Sequence, residues 1–127
     1  MKSFTISSTV KEYPKKHPYE TMKRKILGAK YQLSLVFVGK TRAATLNKNY
    51  RKKTYSPNVL SFSLTEENGE IIICPRVAKN EAARFNLSVD GYIAYLFIHG
   101  LLHLKGYDHG NTMEKYESKY LKVFNIK

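Results

Sequence analysis

At 127 residues with 43% hydrophobic content, the chain suits one compact domain over residues 1–127 and leaves no room for a second core. A single cysteine, Cys74, excludes an intrachain disulfide and a thiolate metal cluster, so a metal here must use histidine or carboxylate ligands, and it suits a reducing, cytoplasmic setting. The net charge of +12 lies in residues 1–53, which hold 14 Lys or Arg against Glu12 and Glu20 while residues 54–127 balance; this suits a phosphate-bearing partner, because each neutralised phosphate releases counterions.

A solvated basic surface would account for the same composition. The opening MKSFTISS lacks the apolar run of a secretory leader. Leu33 to Val38 and Tyr92 to Ile98, the longest apolar stretches, are too short to span a bilayer, so a soluble protein without a membrane partner is expected.

Phe4 and Ile6 alternate with Thr5 and Ser7, predicting a first strand. After Pro14 and Pro18, the positions Tyr19, Met22, Ile26 and Ala29 follow helical spacing, with Lys23, Arg24 and Lys25 expected on the exposed side. Gln32 to Val38 is rich in β-branched and apolar residues and predicts a largely buried strand, followed by a short helix over Ala43 to Tyr50 that the basic cluster Arg51-Lys52-Lys53 leaves. Leu60, Phe62 and Leu64 alternate with Ser61, Ser63 and Thr65, the period of a half-buried strand. A turn over Glu66 to Gly69 returns the chain as a strand over Ile71 to Cys74, forming a hairpin.

Pro75 suits the first turn of a helix carrying Val77, Ala78, Ala82 and Phe85. Ser88 is a good N-cap for a longer helix running to about Leu104, which Gly106 ends. Asn111 with Glu114 resembles a capping pair for a last helix whose Met113, Tyr116, Tyr120 and Phe124 keep helical spacing. The expected fold is α+β, a short mixed sheet covered by helices.

Three of the four histidines fall in HGLLHLKGYDH, from His99 to His109. His99 and His103 project from one face of a helix, a turn apart, and Gly106 lets the chain turn so that His109 reaches the same ion. Three neutral imidazoles suit zinc and leave a fourth position open, the catalytic arrangement rather than the structural one. Taken singly, each histidine is more often a hydrogen-bonded or surface imidazole; the crowding favours ligation. Metzincin peptidases share this histidine spacing but carry Glu directly after the first His, where this chain has Gly100. Asp108, beside the third histidine, could orient a ligand or handle a proton, or serve as an ordinary turn residue.

The run HGLLHLKGYDH, preceded by LNKNYRKKTYSPNVLSF (Leu46 to Phe62) and EAARF (Glu81 to Phe85), closely resembles the YbeY-type endoribonucleases over most of the chain from about Leu33 onward. The resemblance implies zinc on His99, His103 and His109 and cleavage of single-stranded RNA. It also implies roles in maturing ribosomal RNA, especially the 3′ end of the small-subunit RNA, and in quality control of the ribosome. The family's functional Arg maps to Arg51. This chain departs from the family pattern at Lys52-Lys53-Thr54, where Gly-Lys-Asp is usual, at Ser63 for Pro, at Glu70 for Asp, and at Tyr92 and Tyr95, where histidines are frequent.

On this reading Arg51 holds a phosphate, since a guanidinium grips two oxygens at once. Lys52, Lys53, Arg42, Lys23, Arg24 and Lys25 are candidates for tracking the backbone, and Tyr50 and Tyr55 for stacking on bases. Two other classes stay open: a zinc metallopeptidase, which needs a substitute for the missing Glu, and a ribosome-associated RNA-binding factor with a structural zinc. Oligomeric state is not legible in the residues.

Overall fold

A computed structural model describes residues 3–53, 57–108 and 110–127. Four strands, β1 (Phe4–Ser8), β2 (Gln32–Phe37), β3 (Val59–Thr65) and β4 (Asn68–Ile73), form a mixed sheet in the order β1-β2-β4-β3. β1 and β4 run parallel to β2, while β3 closes the edge antiparallel to β4. The expected hairpin is therefore present, with an irregularity between Ser63 and Thr65 and a turn shorter than expected, because Asn68 and Gly69 already belong to β4.

The alternation of side chains divides the sheet into two unequal faces. Leu33, Leu35 and Phe37 of β2 with Ile71 and Ile73 of β4 join the main core, which includes Met22, Ile26, Phe97, Ile98 and Leu101. These last residues come from α1 (Tyr19–Leu27) and α4 (Val89–Lys105), and α5 (Asn111–Val123) adds Met113 to the same cluster. The opposite face carries a small second cluster, Leu60, Ile72, Val38 and Cys74 against Ala43 of α2 (Lys40–Arg51). β3 thus turns Leu60 and Phe62 toward α2, and its alternate residue Ser61 pairs with Ile71 on the α4 side. Leu64 lies past this cover and is 64% exposed.

Local chemistry explains most element ends. Pro75 opens α3 (Pro75–Glu81), where its missing N–H costs nothing, and a 3₁₀ turn (Ala82–Phe85) follows. Ser88 caps α4 by accepting from the Gly91 N–H at 2.9 Å. Three expectations need correction. α1 stops at Gly28, whose φ of 95° ends the helix before Ala29. Lys23 is buried rather than exposed: its Nζ donates to the Ala29 carbonyl at 3.0 Å, which satisfies a group at the end of α1. Asn111 is the first residue of α5, not its cap; Gly110 occupies the cap position and no side chain bonds there. Among the described residues no single helix is long and apolar enough to cross a membrane.

Candidate functional site

His99 and His103 stand one turn apart on α4 with ring centres 4.6 Å apart and planes at 87°. Each ring is anchored through Nδ1. That of His99 meets Oε2 of Glu117, on α5, at 2.5 Å, and that of His103 meets the Tyr107 carbonyl at 3.0 Å. A carbonyl oxygen can only accept, so Nδ1 of His103 carries the proton, and the Glu117 carboxylate selects the same tautomer at His99. In the neutral form of each ring this leaves the lone pair on Nε2.

The end of α4 supplies the second of these acceptors. Gly106 adopts φ 116°, and the N–H groups of Gly106 and Tyr107 bond back to His103 and Leu102, the glycine-dependent helix stop known as a Schellman motif. That turn brings the Tyr107 carbonyl back over His103. Glu117 is held in turn: Tyr95 donates its hydroxyl to Oε1 at 3.4 Å, and burial, followed by the Glu117 charge, pushes that phenol up to about 12. Tyr95 is therefore a proton donor throughout the physiological range.

A cleft of about 550 Å³ opens beside the pair, lined by His99, His103 and Leu104 of α4, by Asn58 and residues of β3 including Ser61 and Ser63, and by Arg51. Because β3 is an edge strand, the last turn of α2 can reach round from the opposite face of the sheet, and Arg51, its final residue, enters the cleft from there. The structure thus brings together Arg51, His99 and His103. Lys52 and Lys53 are exposed just beyond the helix. Lys52 takes a left-handed conformation, and both backbone N–H groups bond to α2 carbonyls. Tyr50 is 66% exposed and leans on Phe62.

Other expected residues are placed differently. Arg24 pairs with Glu20 at 3.3 Å, and neither it, Lys25, Arg42 nor the buried Lys23 lines the cleft. Asp108 is exposed in the turn after α4. His109, Thr54 and Tyr55 lie outside the described residues, so the expected third ligand and the expected second stacking tyrosine are not placed. Reading the sequence missed Glu117, Asn58 and the Tyr107 carbonyl. Glu117 did leave a signal: it follows Met113 by one helical turn, an acidic residue on the apolar face of α5.

Comparison with known proteins gives the family. The family model "Endoribonuclease YbeY" matches residues 2–125, and the chain belongs to that family. It is 40% identical to the endoribonuclease YbeY of Janthinobacterium sp. (strain Marseille), over 72% of this chain and 64% of that protein. It is 36% identical to that of Bdellovibrio bacteriovorus, over 84% and 72%, and 33% identical to that of Buchnera aphidicola, over 92% and 85%. The chain thus spans somewhat less than two thirds of the Janthinobacterium relative. Its fold is similar to the solution structure of TM1509 from Thermotoga maritima, with a TM-score of 0.65, 25% identity, and coverage of 94% of this chain and 87% of that one.

Proposed function

We propose that this chain is a zinc-dependent endoribonuclease that cuts single-stranded RNA in the cytoplasm and acts in maturation of ribosomal RNA, at the 3′ end of the small-subunit RNA, and in ribosome quality control. The observation that carries the activity is the meeting of Arg51 with His99 and His103 in one cleft. Family membership and the name its relatives share support cleavage of RNA, and the basic first half of the chain supports a phosphate-bearing substrate.

The donor set suits zinc. Two imidazoles with Nδ1 engaged by acceptors present Nε2 as a ligand atom, the arrangement that outer hydrogen bonds impose on zinc histidines. His99, His103 and, by spacing and family resemblance, His109 would hold the ion, which when bound supplies a Lewis acid at neutral pH. Arg51 grips two oxygens of a phosphodiester and holds it against the histidine pair, stabilising charge that builds during attack. Ser61 on the β3 floor offers a hydroxyl to the ribose or a neighbouring phosphate. Lys52 and Lys53 extend the positive rim and follow the backbone away from Arg51.

Gly100 disfavours the peptidase reading. A Cβ at this position would meet Ser61 Oγ at 2.9 Å and Ile71 Cδ1 at 3.0 Å, so the place where a metzincin keeps its glutamate is packed against the sheet. A non-catalytic RNA-binding factor is separated by experiment. Labelled single-stranded RNA is offered to wild type, His103→Ala and Arg51→Ala, with zinc content and folding measured on each. The expected result is cutting by wild type, loss of zinc and cutting in His103→Ala, and loss of cutting with zinc retained in Arg51→Ala. Equal rates for folded, zinc-loaded wild type and His103→Ala would refute catalysis at this site.

A further inference from the structure

Of the aromatic side chains leading away from the histidines, Tyr95 steadies Glu117, while Tyr92 and Phe85 take no part in the chemistry above. Tyr92, Tyr95 and His99 follow one another along one stripe of α4, with ring centres 5.8 and 6.2 Å apart. Phe85, in the 3₁₀ turn, closes the far end: its ring stacks on Tyr92 at 4.8 Å and 25° and lies 5.7 Å from Tyr95. Tyr92 is 1% exposed, whereas Phe85 is 48% exposed. One side of the Phe85 ring is therefore backed by Tyr92 while much of the rest is open to solvent.

This row is joined to the cleft. Asn58, in the cleft wall, donates Nδ2 to Glu81 Oε1 at 3.1 Å and to the Tyr92 hydroxyl at 3.4 Å, and Tyr92 donates to the same Glu81 oxygen at 3.0 Å. Phe85 thus packs directly on a residue bonded to the cleft wall. Arg76, Lys79 and Arg84 are exposed on the same helix and turn, and Glu81, the acidic residue among them, is engaged by Asn58 and Tyr92.

We propose that Phe85 is a stacking platform for one unpaired base of the RNA whose phosphate Arg51 holds. The inference rests on the endoribonuclease reading and adds to it a device for selecting single strands. A base within a duplex has both faces covered by its neighbours, so only an unpaired base can lie on a protein ring. Pre-ordering by Tyr92 reduces the conformational freedom lost when the base lands. The flanking Arg and Lys side chains draw in the backbone on either side without reading sequence.

The test uses zinc-loaded wild type, Phe85→Leu and Phe85→Tyr. Leucine keeps an apolar cover over Tyr92 but has no ring, and tyrosine restores one. Each is checked for folding by thermal melt, then given a labelled single-stranded RNA and a series in which one abasic nucleotide is moved along it. Binding is followed by anisotropy, cleavage by KM and kcat. Stacking predicts that Phe85→Leu weakens binding and raises KM by roughly 5- to 100-fold with little change in kcat, and that Phe85→Tyr matches wild type. An abasic nucleotide at one position should cost wild type the same factor and cost Phe85→Leu nothing more. Wild-type binding by folded Phe85→Leu, or wild type indifferent to every abasic position, overturns the platform. If Phe85→Leu does not fold, Phe85→Met is carried through the same abasic series in its place, since Tyr50 is also exposed and a loss in wild type alone does not single out Phe85. RNA that binds with this dependence on Phe85 but is never cut refutes the nuclease reading and leaves the platform standing.

Discussion

Oε2 of Glu117 lies 2.5 Å from Nδ1 of His99, and this contact between α5 and α4 orients a ring of the proposed metal site. Glu117 is only 6% exposed, so the carboxylate is desolvated and, among the described residues, depends on His99 and the Tyr95 hydroxyl. Removing such an outer partner generally weakens metal binding by about 10- to 100-fold. Glu117→Ala should therefore bind zinc about 10- to 100-fold more weakly than wild type in competition with a chromophoric chelator. Glu117→Gln, which can still accept from His99, should lose less. Equal zinc affinity in wild type and a folded Glu117→Ala would show that the contact does not tune the ligand.

Arg51 is exposed and ends a helix, so its replacement should leave stability within about 0.5 kcal/mol. Arg51→Ala is expected to lower kcat by roughly 10²- to 10³-fold, as for removal of an electrostatic donor in other active sites. Arg51→Lys should recover little, because an ammonium keeps the charge but not the two-pronged geometry. A lysine variant as active as wild type would reduce Arg51 to a point charge in the backbone path, and the salt dependence of binding would then be its main signature.

Gly100 is the residue that a peptidase mechanism would need to be glutamate. Gly100→Glu places a carboxylate against Ser61 and Ile71, which combines overpacking with a buried charge. We expect a loss of about 3 kcal/mol or more in urea denaturation and no cleavage of casein. A stable Gly100→Glu protein that digests casein would reopen the peptidase assignment.

Burial raises the phenols of Tyr19 and Tyr92 well above the ordinary tyrosine range and that of Tyr95 to about 12. In each case desolvation is the leading cause. The native state therefore holds protons that the unfolded chain releases near pH 10, so this contribution is complete below pH 10 and declines as pH rises toward and beyond 12. Tyrosinate absorbance should rise in two phases, with the second coinciding with loss of near-ultraviolet circular dichroism. A single phase completed in a still-folded protein would contradict the burial of these rings.

Local pattern was sufficient for most of the fold. The alternation in β3, Pro75 at the start of α3, Ser88 before α4 and Gly106 after it are all chain-local devices, and the structure keeps each of them. Lys23 looks solvated in the sequence because Arg24 and Lys25 flank it, and nothing nearby announces that the Ala29 carbonyl awaits it. Asn111 resembles a cap in the sequence, but Gly110, which can take φ 142°, fills that role without a side chain.

The histidine pair could be read from sequence because its geometry is set by the pitch of a single helix, and the charge excess because composition is additive. The surroundings of the pair follow from contacts between residues far apart in the chain. Glu117 meets His99 because α5 packs on α4. Arg51 reaches the cleft because α2 covers the other face of the sheet up to the edge strand β3. Phe85 backs onto Tyr92 because the 3₁₀ turn folds against α4. Side-chain spacing within one element is a property of the backbone and shows in the sequence. Which elements lie side by side depends on how their apolar faces share one core, and no local stretch of sequence carries that information.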